Sequence, residues 1–144
     1  KNIMASLRAV GADGVQVLRG VEDIPAYEKG MNNAVTADGL AVFFEALATE
    51  KFADKYRTAE MIDILTDQQH RDIIPARLPN SVKVAHKTGW ITGINHDSGI
   101  VILPDGWKYV LVLLSLAPNL EAKDAKDVMA RVSRHVYNYV VNSN

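Results

Sequence analysis

The sequence has no cysteine, and that absence removes disulfides, thiol nucleophiles and thiolate metal ligands together. A metal site would have to rest on histidine and carboxylate, yet His70, His86, His96 and His135 show no i, i+4 ligand spacing. Each reads as a surface or capped histidine, and neither a metal nor a cofactor is expected. Charge of one sign is also missing: 16 basic and 17 acidic residues are interspersed and sum to -1. A phosphate backbone would find no driving force there, so nucleic acid is set aside as a partner. The longest apolar run, at 109–116, is far shorter than the ~20 residues a membrane-spanning helix needs. The first residues lack the charged-then-apolar order of a signal peptide. A start at Lys1-Asn2-Ile3-Met4 without an initiating methionine reads as a processed or cut piece of something longer.

What is present suffices for one globular domain with a true core: 144 residues, 48% of them hydrophobic, with no internal repeat, low-complexity segment or Gly/Ser linker. Residues 2–10 carry Ile3, Met4, Leu7 and Val10 at helical spacing and stop at Gly11. Residues 14–20 alternate briefly like a strand. From 21 to 34 no period is visible, and Pro25, Gly30 and the pair Asn32-Asn33 mark a compact loop of the Ω type, long enough to be functional. Thr36 predicts an N-cap, with Asp38 in the first turn and Leu40, Phe43, Phe44 and Leu47 as an i, i+3, i+4, i+7 stripe. A second helix is expected over 58–66 through Met61, Ile62 and Leu65, and Pro75 and Pro79 then lead into extended chain.

From 82 to 115 the residues are β-branched, and Pro104-Asp105-Gly106 between two apolar runs is a hairpin signal. Three antiparallel strands follow, the last apolar at nearly every position and therefore expected to be covered on both faces. Helix 120–141 supplies one cover through Ala125, Val128, Met129, Val132, Val136, Tyr139 and Val140. The fold class predicted is α+β: a three-stranded antiparallel sheet flanked by helices.

The stretch Val84-Ala85-His86-Lys87-Thr88-Gly89-Trp90 places a Lys-Thr-Gly triplet at the end of the first strand. A strand ending in Gly admits close approach, while the adjacent ammonium and hydroxyl suit a carboxylate. The triplet, the following Thr92-Gly93 and Asp97-Ser98-Gly99, the Pro-Asp-Gly turn, the apolar strand and the last helix come in an order that resembles the C-terminal part of the class A β-lactamases. It resembles the wider penicillin-recognising serine hydrolases too. Upstream, Arg19-Gly20-Val21-Glu22-Asp23 and Gly30-Met31-Asn32-Asn33-Ala34-Val35-Thr36 resemble that family's Ω loop and the helix after it. Lys-Thr-Gly is one of three boxes that define such enzymes. The resemblance implies one β-lactamase-like domain in its C-terminal portion, with the Ω loop and helices in 1–80 and the triplet strand, hairpin and last helix in 81–144.

What the resemblance implies for the site is specific. Lys87 keeps it electropositive, Thr88 hydrogen-bonds the substrate carboxylate, Gly89 permits close approach and Trp90 offers its backbone N–H to the oxyanion hole. Thr92, His96 and Ser98 fall where substrate is bound. Ser98 stands near the position of an arginine that anchors the carboxylate in many class A enzymes, with His96, Arg131 and Arg134 as nearby replacements. Glu22 and Glu28 are the candidates in the loop for the base in deacylation, Glu22 the preferred one, although the family's Glu-x-x-Leu-Asn is not kept there, since Asp23-Ile24-Pro25-Ala26 follows it. The alternative for Glu22 is a loop salt bridge with Arg19. His96-Asp97-Ser98 is no triad, because consecutive strand residues face opposite ways. Of the tryptophans, Trp107 reads as a packing residue and Trp90 as the better candidate for stacking on a ligand.

Neither Ser-x-x-Lys nor Ser-Asp-Asn nor Tyr-x-Asn occurs in the sequence. The nucleophile is therefore expected on a preceding segment of the same protein, which this chain either pairs with or replaces by self-associating as a dimer. The implied substrate is a small β-lactam or peptidoglycan-like molecule, and the implied location is bacterial, periplasmic or secreted. A penicillin-binding carboxypeptidase or an esterase of the same fold would share the triplet. A non-catalytic binding or interaction domain is the reading from another class.

Overall fold

The computed structural model describes residues 3–143. Helices α1 (Ile3–Ala9), α2 (Ile24–Glu28), α3 (Ala37–Ala48), α4 (Lys55–Thr66) and α5 (Ala122–Ser143) are joined by strands β1 (Val15–Gln16), β2 (Ala34–Val35), β3 (Lys83–Ile91), β4 (Ile94–Ile102) and β5 (Lys108–Leu116). A 3-10 turn occupies Pro75–Arg77. The antiparallel order β3-β4-β5 leaves β3 and β5 as the two edges. The short pair β1-β2 closes the neck of the Ω-type loop.

Alternation along the strands sorts side chains onto two faces. One face places Ala85, Ile100, Ile102 and Val110 against Phe44 and Leu47 of α3 and Met61, Ile62 and Leu65 of α4. The other places Val84, Val101, Leu103 and Leu111 against Ile73, Ile74 and Met129. Helices thus cover both faces, as the apolar β5 requires, yet most of β5 is only half-buried because the strand is an edge.

The predicted cap of α3 is formed: Thr36 Oγ1 accepts from Gly39 N–H at 3.0 Å. Gly39 lets this first turn press onto Gly14, whose carbonyl carbon would stand 2.5 Å from an added Cβ.

Several elements differ from the sequence expectation. The expected start of α1 at Asn2 lies outside the described residues. Helix α4 begins at Lys55, earlier than expected, because Asp54 caps it by accepting from Arg57 N–H at 3.0 Å. Only Val15–Gln16 of the expected strand 14–20 pairs, since the chain then bends so that Asn33 Oδ1 accepts from Leu18 N–H at 2.8 Å and Arg19 N–H at 3.1 Å. The loop contains α2, five residues capped by Asp23 and too short to show a period.

The stripe of α5 is also corrected. Ala125, Met129, Ala130 and Ser133 are the buried residues, while Val128, Val132 and Tyr139 are exposed. The small residues allow close approach to the 3-10 turn, where Arg77 pairs with Asp127 and Lys126 with Asp72. The Arg77 hydrogen bond and charge hold the Asp127 carboxyl below its ordinary range. Burial pushes Asp72 up, but Lys126 outweighs it and leaves that group lowered as well.

Candidate active site

A two-residue turn, Thr92-Gly93, joins β3 to β4, with Gly93 at φ 74 and Ile91 opposite Ile94. In such a hairpin the flanking pair is hydrogen-bonded and the next pair is not. Trp90, opposite Asn95, therefore points its N–H and C=O away from β4, out over the free edge. Asn95 directs its own backbone to β5, where its carbonyl oxygen lies 2.9 Å from His96 Nδ1, itself 3.2 Å from Ser115 N–H. By the same alternation Thr88 is turned outward, and its carbonyl accepts from Lys87 Nζ at 2.6 Å. The edge thus offers an ammonium, a backbone N–H unused by the ladder and, at Gly89, open space where a Cβ would meet nothing within 4 Å.

Beside this edge lies a cleft of about 480 Å³ lined from the sheet by Lys87, Thr88, Gly89, His96 and Ser98 and from the helices largely by apolar side chains such as Phe43, Met61 and Leu65. Five of the expected site residues are therefore together. Lys87 is the only lysine or arginine among the described residues lining it. The Thr88 hydroxyl is buried, on the opposite sheet face from Lys87 and Gly89.

A second opening of about 460 Å³ joins Gly89, Trp90, Ile91 and His96 to Asn33, Ala34 and Val35, so the end of the loop reaches the same edge. The Trp90 indole turns to the α5 side, 4.7 Å from the His70 ring and 5.7 Å from Lys126 Nζ by centroid.

Other expected residues lie apart. Thr92 is at the exposed hairpin tip. Glu22 is exposed on the loop and lines neither opening. The alternative for Glu22, a bridge to Arg19, is not formed among the described residues: Arg19 donates instead to the carbonyls of Gly20, Val21 and Met31 and stacks over Tyr27. Arg131 pairs with Asp127, and Arg134 donates to the Arg77 carbonyl on the far side of the sheet, so neither stands in at Ser98.

Sequence reasoning missed two features. Asn33 locks the loop neck, also donating from Nδ2 to Arg19 O at 3.0 Å, and the Asn32-Asn33 pair was its only signal. His86, expected to be a surface or capped histidine, is fully buried with its Nδ1 2.8 Å from Asp97 Oδ1. That pairing depends on strand register, which no local pattern reveals. Among the described residues there is no cluster that could hold a metal ion and no helix long and apolar enough to cross a membrane.

This sheet, its helical covers and the edge cleft define a class of fold, that of the class A β-lactamases and penicillin-binding proteins. A β-lactamase from Chitinophaga pinensis superimposes with a TM-score of 0.83 at 21% identity, over 94% of this chain and 53% of that one. The protein PBP-A, in a mutant solved as an acyl-enzyme complex with penicillin-G, does so with a TM-score of 0.81 at 22% identity, over 96% of this chain and 50% of its own. In sequence, a β-lactamase of Bacteroides uniformis is 26% identical over 132 residues, covering 74% of this chain and 45% of the relative. The profile of the beta-lactamase enzyme family matches residues 1–140, and the chain belongs to that family. It spans about half the length of these relatives.

Proposed function

We propose that this chain is the C-terminal portion of a β-lactamase-like serine hydrolase and builds one wall of its acyl-transfer site. The observation that carries the reading is the free β3 edge, where Lys87 lines one cleft, Trp90 with its outward N–H lines the adjoining opening, and Gly89 and His96 line both. In this reading Lys87 attracts the substrate carboxylate, Gly89 gives it room, Thr88 lines the cleft without its hydroxyl, which is buried on the other face, and the Trp90 N–H stabilises the oxyanion, such a donor contributing ~3 kcal/mol in other serine hydrolases. His96 and Ser98, which line the cleft, border the bound substrate, whereas Thr92 at the hairpin tip does not. The attacking serine and its Ser-x-x-Lys box come from a companion segment, so this portion alone is inactive. The free β5 edge and the exposed Val128, Val132 and Tyr139 on α5 support such a companion, because surfaces of this kind are normally covered. We also propose, by analogy with the family, that the whole protein works outside the bacterial cytoplasm, periplasmic or secreted.

A second reading, a penicillin-binding carboxypeptidase, is favoured by the placement of Glu22 and Glu28 away from both openings, which takes the expected bases from the deacylating water. Intact masses of the protein carrying this chain, before and after penicillin, test both. A lasting gain of one penicillin mass supports the acyl-enzyme with slow release. A transient gain with product accumulation supports the β-lactamase. An unchanged mass in a preparation containing the serine box refutes the catalytic proposal.

A further inference from the structure

The proposed catalysis makes no use of a hydrogen-bonded chain formed by His86, Asp97, Ile74 and Ser133, all four at 0% exposure. His86 Nδ1 lies 2.8 Å from Asp97 Oδ1, Asp97 Oδ2 accepts from Ile74 N–H at 2.9 Å, and the Ser133 hydroxyl donates to the Ile74 carbonyl at 2.8 Å. The two Asp97 oxygens thus link His86 on β3 to the Ile74 backbone. The relay runs from β3 across β4 and the residue before the 3-10 turn to α5, through an apolar cluster that includes Val84, Val101 and Met129.

Stability alone gives no reason for it, since a buried polar pair can often be replaced by packed apolar side chains without loss. Its location does. His86 immediately precedes Lys87, and Asp97 stands directly opposite Thr88 in the register. Gly99, opposite His86, has no room for a methyl: an added Cβ would come 2.6 Å from His86 Cα and closer still to the Ala85 carbonyl oxygen. The two strands approach closely at this point. β3 is an edge strand, bonded on one side only, so the groups it presents outward have no second strand to hold them.

We propose that His86 and Asp97 are positioning residues for the Lys87-Thr88-Gly89 edge, tying β3 through Ile74 and Ser133 to α5 and so fixing where the Trp90 N–H points. This rests on the acyl-transfer reading, because a small displacement of positioned groups lowers a rate far more than it lowers stability.

The test uses the protein carrying both this chain and its serine box, with the doubly apolar variant His86→Leu/Asp97→Leu and with Asp97→Asn, which keeps an acceptor for Ile74. Three readouts are taken: thermal midpoint, amide hydrogen exchange at Lys87, Gly89 and Ile91 compared with amides between β4 and β5, and penicillin acylation split into binding and rate. The expected result is exchange faster by about tenfold at the β3 amides alone. The acylation rate constant should fall by about 10- to 100-fold with binding little changed. If the doubly apolar variant does not fold, Asp97→Asn decides by the same criteria. Exchange that rises equally across the sheet, or remains unchanged in a folded variant, overturns the proposal. Should the unaltered protein fail to be acylated, the acyl-transfer reading falls, and the exchange comparison, which needs no penicillin, still decides whether the pair holds the edge.

Discussion

Gly89 and Gly99 sit on adjacent strands, and a methyl group added to each meets opposite surroundings. At Gly99 it collides with the Ala85 carbonyl and His86 Cα, both backbone atoms that cannot step aside. At Gly89 nothing lies within 4 Å. Gly99→Ala should therefore destabilise the fold by about 1–3 kcal/mol through overpacking. Gly89→Ala should leave stability within about 0.5 kcal/mol while impairing acylation, since its methyl points into the cleft. Urea unfolding and acylation rates on the same samples separate the two effects.

Tyr109 gives a third residue-level expectation. Burial, with Tyr137 nearby, pushes its phenol from 10.0 up to about 12. The folded state holds that proton longer than the unfolded chain does. The contribution is thus complete below pH 10 and is lost as pH rises from about 10 to about 12. A phenolate absorbance titration should show one late-ionising tyrosine, and Tyr109→Phe should remove both that step and the extra alkaline loss of stability.

Among the elements, α3 was the most legible because two independent signals agreed, a threonine cap and a four-residue apolar stripe, and both are realised with Phe44 and Leu47 buried. Thr36→Ala removes the acceptor for Gly39 N–H and should cost about 1 kcal/mol, read as a lower urea midpoint with an unchanged slope. The hairpin was equally legible, because β-branched runs broken by a turn admit few alternatives. α2 was hidden by its length. α5 shows a different limit: periodicity identifies an apolar sector, but the choice between Val128-Val132 and Ala125-Met129-Ser133 as the contact row depends on how closely the helix approaches the 3-10 turn. For the site, Lys87, Gly89, His96 and Ser98 could be grouped from local sequence order, whereas His86 with Asp97 and Asn33 with Arg19 are pairings across strands or across a loop, visible only once the chain is folded.

The whole molecule leaves two kinds of surface open, and they belong to different tasks. The β3 edge is short of neighbours where a substrate would lie. The β5 edge has no such use, ends in the exposed Leu116 and carries a single charge, Lys108, so it lacks the devices that discourage strand addition. On α5 the exposed Val128, Val132 and Tyr139 form a further apolar strip. If a companion segment covers these surfaces, the isolated chain should substitute its own copies and sediment as a concentration-dependent oligomer. Leu116→Lys combined with Tyr139→Lys should shift it to monomer, because both positions are solvent-facing here and a lysine ammonium would have to be desolvated in any paired state. Adding the companion segment in trans should likewise dissolve the oligomer and, where that segment brings the serine box, make penicillin acylation appear at the same stoichiometry. An isolated chain that stays monomeric at all concentrations and gains nothing from the segment would leave the β5 edge and the α5 strip without a partner, and with them the proposal that this chain is one part of a larger site.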